Sequence, residues 1–249
     1  MSSLLTALSG HRPDRLPVWF MRQAGRSLPE YKEVRKDTTI LEACLKPDLA
    51  AEITLQPVRR HGVDAAIFFS DIMTPLVLAE VGVEIHSGVG PVIDEPVRTA
   101  ADVDRLVSHE LGDPSAITEA VRLVVAELGE ETPLIGFAGA PFTLAAYLVE
   151  GRGSRDHLAA RAMMHADPES WRKLAAWCAD ISGQFLTVQV DAGARAVQLF
   201  DSWAGSLGVA DYRAHVAPAS SLAPGRGSVP AAGSSSALRG LALMPRGRR

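Results

Sequence analysis

Two arginines four residues apart, Arg22 and Arg26, follow directly on the apolar run of residues 18–21 in VWFMRQAGR. A guanidinium presents a planar fork of donors matched to carboxylate or phosphate, and two on one turn make a clamp for a ligand with several negative charges. Two solvated surface arginines are the ordinary alternative, and placement at the end of a strand-like segment is what favours the clamp. Asp71, in FFSDIMTPL, also follows an apolar run. It serves either as the cap of a helix beginning at Ile72 or as the partner of a developing cation or of N–H donors on a ligand. Tyr147, in the segment opened by Pro141, either reaches back over the strand ends or packs. Asp201 and Ser202, after RAVQLF, either contact a ligand or cap the next helix.

These residues need a scaffold, and the chain supplies short apolar runs alternating with amphipathic segments, the pattern of a parallel sheet covered by helices. LPVWFM (16–21), VDAAIFF (63–69), PLIGFAG (133–139) and RAVQLF (195–200) are the four expected strands. VGVEIHSGVGPVID (81–94) carries the Gly and Pro punctuation of a hairpin. The spacing of Trp171, Leu174, Cys178, Ile181, Phe185 and Val188 predicts a helix from Pro168 to about Asp191, capped by Asp167 and ended near Gly193. Each expected strand runs into a polar stretch: RQAGR, SDIMTP, APFT and DSWAG. In α/β folds the carboxyl ends of the strands open into the loops that form sites, so one site collects all four.

At 249 residues and 47% hydrophobic, the chain is long enough for a large core, and its longest apolar stretches fall far short of the roughly 18 residues of a membrane span. The N-terminus lacks a basic leader and apolar core, which predicts a cytoplasmic location. Cys44 and Cys178 are far apart and without CxxC or histidine pairs, which argues against a disulfide framework and against zinc. Residues 214–249 differ in kind: 23 of the 36 are Ala, Ser, Gly or Pro, with five arginines and no Asp, Glu or Lys. Such a composition buries too little apolar surface to offset its conformational entropy, so a disordered tail is expected after a domain of residues 1–213. Without aromatic interleaving, and beside an acidic body, these arginines make no case for nucleic acid.

Taken together, PVWFMRQAGRSLPEY, FFSDIMTPL, GFAGAPFTLAAYLVEG (136–151) and VQLFDSWAG resemble the uroporphyrinogen decarboxylase family over about residues 10–213. The resemblance implies a (β/α)8 TIM barrel, a homodimer without cofactor or metal, and a place in haem biosynthesis: the four acetate side chains of uroporphyrinogen III become the methyl groups of coproporphyrinogen III, with loss of carbon dioxide. It implies that Arg22 and Arg26 bind the substrate's carboxylates, that Gln23, Ala24 and Gly25 present backbone along the same edge, that Asp71 accepts from the pyrrole N–H groups, and that Tyr147 and Ser202 contact substrate. The family continues for four more strands and a site histidine, for which His215 stands in the wrong context. The shift in composition past Tyr212 predicts a truncated or frameshifted product, with only the first half of the barrel and without activity on its own. Two other readings stand beside this one. A zinc-dependent corrinoid methyltransferase of the same fold requires His and Cys ligands, yet the seven histidines are scattered and no cysteine is expected near a strand end. A non-catalytic fragment is the other.

Overall fold

The computed structural model describes residues 2–21, 23 and 28–223. Short helices lead in: α1 (Ser3–Leu8), α2 (Pro29–Val34) and α3 (Ile40–Cys44), the last opened by a capping box between Thr39 and Glu42. Helix α4 (Pro47–His61) starts on a proline, whose missing N–H costs nothing in a first turn, and stops at Gly62 in the left-handed conformation (φ 59°). Strand β1 (Ala66–Ile67) and helix α5 (Thr74–Leu78) come next, then the antiparallel hairpin β2 (Val83–His86) and β3 (Gly90–Ile93), as its punctuation predicts. Helices α6 (Ala100–Leu106) and α7 (Ser115–Glu127) lead to β4 (Leu134–Gly139). Then follow α8 (Pro141–Glu150), α9 (Leu158–Ala166), α10 (Pro168–Asp191) and β5 (Ala196–Phe200). The described chain closes with α11 (Val209–Asp211), a π-helical turn (Tyr212–Val216) and α12 (Ala217–Ser220).

The sheet is parallel, in the order β1-β4-β5, with Ala66 opposite Leu134 and Ile135 opposite Ala196. Every residue of β4 is buried, the condition of a central parallel strand covered on both faces. Helix α10 matches its predicted bounds: the Asp167 carboxylate accepts from Ser170 N–H at 3.1 Å, and the apolar stripe from Trp171 to Phe185 is buried.

Three of the four expected strands are present, and residues 16–21 are the exception. They run beside the start of β1 with Asp64 N–H donating to Val18 O at 2.8 Å, and the Asp64 carboxylate accepting from Val18 N–H at 2.7 Å, but they form no ladder. The reason lies in the side chains. Pro17 has no N–H to give, and Leu16 and Phe20 are 84% and 56% exposed, so neither backbone bonding nor burial holds the segment in register. The expected tail also begins later than residue 214. The chain stays helical through Ser220, Val216, Ala219 and Ala223 are buried, and the Trp171 indole donates to His215 O at 2.9 Å. A side chain at Gly183 would strike the Ala223 carbonyl, so α10 and this segment meet closely where glycine permits it. Composition missed this because a few well-spaced apolar residues suffice to dock a short helix. The rest of the expected tail, 224–249, lies outside the described residues.

β1 is short, and α10 compensates. Phe68 N–H still bonds Ile135 O at 3.0 Å, but the next bond of a continued ladder, from Phe137 N–H, goes instead to the Gln189 side chain at 2.9 Å. The amide nitrogen of Gln189 donates to Phe137 O and Phe185 O, both at 3.0 Å. Gly136 admits it, since a Cβ there would lie 2.9 Å from Gln189 Oε1. The Thr54 hydroxyl on α4 likewise accepts from Phe69 N–H at 2.8 Å. Replacing Gln189 with Leu is expected to cost about 1–3 kcal/mol for each buried backbone group left unpaired, read as a lower urea midpoint; an unchanged midpoint would show that the splayed strands need no such partner.

Candidate active site

The three strand ends deliver the expected polar stretches. After β1, Ser70 and Asp71 are half-buried. Asp71 Oδ1 accepts from Met73 N–H at 2.9 Å, while the buried Thr74 hydroxyl oxygen accepts from Asp71 N–H at 3.2 Å. Asp71 therefore does close a turn ahead of α5, with one oxygen. This fixes the carboxylate on a rigid support rather than leaving it on a free loop. Ile72, its neighbour, reaches the end of β4: a Cβ on Gly139 would fall 3.1 Å from that of Ile72.

Cys44 corrects an expectation, because it lies at this strand end. Its thiol is fully buried near Ser70, Asp71 and Thr74, and burial first, then the Asp71 charge, push it up to about 12. A buried thiol held toward its protonated form packs rather than serving as a nucleophile.

β4 and β5 are joined at their ends. Ala140 N–H donates to Phe200 O at 2.8 Å, and the Thr143 hydroxyl in the first turn of α8 donates to Asp201 Oδ1 at 2.8 Å, with both side chains buried. Asp201 Oδ2 is buried without a hydrogen-bond partner among the described residues. Burial raises the carboxyl to about 6, against the opposing pull of the Thr143 hydroxyl and the Ala204 N–H. Tyr212 lies within reach of that charge; its phenol is raised by burial first and by Asp201 second. Next to Asp201, Ser202 is half-buried in the turn, and the Trp203 ring lies 4.1 Å from that of Tyr147 and 4.3 Å from that of His157. Tyr147 thus both packs and stands at the strand ends.

His157 is the residue sequence reasoning missed. It is buried, its Nδ1 has no partner among the described residues, and burial lowers its pKa, favouring the neutral ring. Its backbone is left-handed (φ 48°), uncommon outside glycine and often found where a site stores strain. Nothing in GRGSRDHLAA marks it, since it follows no apolar run and shares no period with α9.

Of the arginine turn, only Gln23 lies among the described residues; Arg22, Ala24, Gly25 and Arg26 do not. The Gln23 side chain is a tie, accepting from Phe20 N–H at 2.8 Å and donating to Ala65 O at 3.2 Å, which fastens the turn to the approach of β1.

A family model described as uroporphyrinogen decarboxylase (URO-D) matches residues 1–223. The chain belongs to that family. The match runs ten residues beyond the expected limit at 213, in agreement with the packed helix there. Proteins named uroporphyrinogen decarboxylase from Arthrobacter sp. (strain FB24) and Leifsonia xyli subsp. xyli (strain CTCB07) are 67% and 62% identical to it over 222 and 230 residues. These alignments take in 89% of this chain but 64% and 60% of the relatives, so the chain spans about three fifths of the length of the family members it matches. A methyltransferase from Methanosarcina mazei shares the fold, with a TM-score of 0.67 at 19% identity, over 87% of this chain and 63% of that one. The mixed sheet-and-helix architecture is that of the family's barrel, of which the described residues form part.

Asp201 makes stability depend on pH in a stated direction. Its folded-state pKa of about 6 lies above the ordinary 3.8, so the folded protein binds the extra proton between those values. The stabilisation is complete below about pH 4 and is lost as pH rises through 6. Asp201→Asn should flatten that part of the profile and be more stable than the parent at pH 7, by up to about 3 kcal/mol. Denaturant unfolding of both chains from pH 4.5 to 7.5 checks this; parallel profiles would mean that Asp201 is charged throughout.

Proposed function

We propose that these residues belong to a uroporphyrinogen decarboxylase, a cofactor-free carboxy-lyase that turns the acetate side chains of uroporphyrinogen into methyl groups. The reading is carried by family membership together with a rigidly held carboxylate, Asp71, at a strand end. The zinc methyltransferase alternative gains nothing from Cys44, which belongs to no cluster of three or more His, Cys, Asp or Glu ligands among the described residues.

Breaking the C–CO2 bond of an arylacetate leaves an electron pair on the methylene carbon, and a neutral, electron-rich pyrrole cannot accept it. The ring is first protonated on carbon and becomes cationic. The electron pair of the breaking bond then flows into the ring as carbon dioxide leaves, giving an exocyclic methylene. A proton added to that carbon and one lost from the ring restore the pyrrole, so each acetate takes up one proton net and releases one carbon dioxide. The charge that develops is positive and centred near the pyrrole nitrogens. A carboxylate fixed beforehand beside those nitrogens stabilises it without reorganising, usually the largest single contribution to catalysis. Asp71 fits that role because its turn with Met73 and Thr74 holds it in place. Asp201, raised to about 6 by burial, is the acid nearest Ser202 that can gain or lose a proton close to neutral pH in this reading.

In this reading Arg22 and Arg26 clamp the carboxylates of the substrate, with Gln23, Ala24 and Gly25 along the same edge, and Tyr147 and Ser202 contact its periphery. The family's homodimer and cytoplasmic location belong to the same proposal, alongside the finding that no helix among the described residues is long and apolar enough to cross a membrane.

The test is uroporphyrinogen turnover by the 249-residue chain and by a version extended with the remaining strands of a family member. Coproporphyrinogen is expected from the extended version, because a closed site that excludes water strengthens every electrostatic contribution. An extended, folded protein that binds no porphyrinogen would overturn the reading. Arg22→Ala and Arg26→Ala in the extended version should weaken binding of the polycarboxylate at low salt, with the gap to the parent narrowing as salt screens the attraction; equal affinity at low salt would remove both arginines from the site.

A further inference from the structure

The C-terminal segment holds a second cluster that takes no part in the reading above. His165 lies in the last turn of α9, Asp211 ends α11 and His215 lies in the π-helical turn. One ligand atom from each lies within 4.8 Å of the other two. We propose that His165, Asp211 and His215 form a binding site for a divalent transition-metal ion of the zinc, cobalt or nickel kind, which clips the end of α9 to the C-terminal helical segment.

The geometry is close to what such an ion needs. At metal–ligand distances of about 2.0–2.2 Å, two neighbouring ligands of a tetrahedral ion stand roughly 3.4 Å apart. His165 Nε2 and Asp211 Oδ1 are 3.4 Å apart, so one edge of the tetrahedron is already in place. The His165 and His215 rings meet edge to face, with centroids 5.3 Å apart and planes at 73°, and ligand atoms within 4.8 Å of each other, so aiming both at one ion takes only a side-chain adjustment in this proposal. His165 is free to make that adjustment, being 58% exposed, while Asp211 is 27% exposed. The open side leaves room for water as the fourth ligand. Two imidazoles and one carboxylate suit borderline-soft ions and discriminate against magnesium and calcium, which take oxygen ligands.

The mounting is firm. Met164, beside His165, and Val216, beside His215, are buried, and the Trp171 indole bond to His215 O fixes the backbone from which that ring projects. The widened turn of Tyr212–Val216 sets Asp211 and His215 near one another just where α9 ends. Without a metal, the contact of an exposed imidazole with a carboxylate at the surface contributes little. With one, three side chains from separate elements become a single cross-link.

The experiment uses the 249-residue chain without a histidine tag, freed of metal by chelator, titrated with Co2+ followed by visible absorption and with Zn2+ by calorimetry. One ion per chain is expected, with tetrahedral cobalt absorption, weaker binding as pH falls and the imidazoles protonate, and a higher unfolding midpoint in saturating Zn2+. His165→Gln, at an exposed position, and His215→Gln should each weaken binding by about tenfold or more. His86→Gln, at an exposed histidine paired with Glu84 elsewhere, should bind like the parent. Absence of saturable binding, or equal binding by parent and His165→Gln, overturns the proposal. Zinc that persists in the His165→Gln and His215→Gln chains would overturn it too and would point back to ligands at the strand ends.

Discussion

The structure turns on the way its parallel sheet opens at the carboxyl ends. β1 stops after Ile67 while β4 runs on to Gly139, and a backbone leaving a ladder inside a protein exposes polar groups that burial makes costly. Side chains from the helices take those bonds. Gln189 serves Phe137, Thr54 serves Phe69, and Ser182 donates to Gly139 O at 2.8 Å. The strands can therefore diverge with these backbone groups bonded, and the loops that leave them start from fixed points. Asp71 begins two residues past the bond to Thr54, and Asp201 is tied by Thr143 to the start of α8.

This arrangement explains why two acids in similar sequence settings differ. Asp71 is half-buried and supported by a turn of its own backbone. Asp201 is almost fully buried, with one oxygen bonded by Thr143 and the other without a hydrogen-bond partner among the described residues, and burial raises its pKa to about 6. Burial thus leaves Asp201 easier to protonate than an ordinary carboxylate, while Asp71 is held by the turn ahead of α5.

Much of this was legible in the sequence where a local rule decides the outcome. The stripe from Trp171 to Phe185 specified α10 because period and capping agreed, and the apolar runs around Ala66, Leu134 and Ala196 specified strands because each precedes a polar loop. Residues 16–21 show the limit: an apolar run reads as a strand, but Pro17 and the exposure of Leu16 and Phe20 decide against a ladder, and exposure is a property of the fold. Cys44 reached a strand end from the helix α3, 26 residues before Ser70 in sequence, a neighbourhood no spacing encodes. His157 takes its strained backbone and its place beside Trp203 from tertiary contact alone. Residues 214–223 looked structureless by composition, yet Val216, Ala219 and Ala223 found a surface on α10 that glycine at 183 leaves open.

In the proposed reading Asp71 acts on charge that appears during the reaction rather than on the bound substrate. Its most direct test is the steady-state kinetics of Asp71→Asn in a barrel extended to full family length. Asparagine keeps the size and one oxygen for the turn with Met73 while removing the charge. The account predicts that kcat and kcat/KM both fall, by about a hundredfold or more, as for the loss of a single preorganised electrostatic group, with KM little changed. A KM that rises with kcat intact would contradict it, because Asp71 would then hold the substrate equally before and during the reaction.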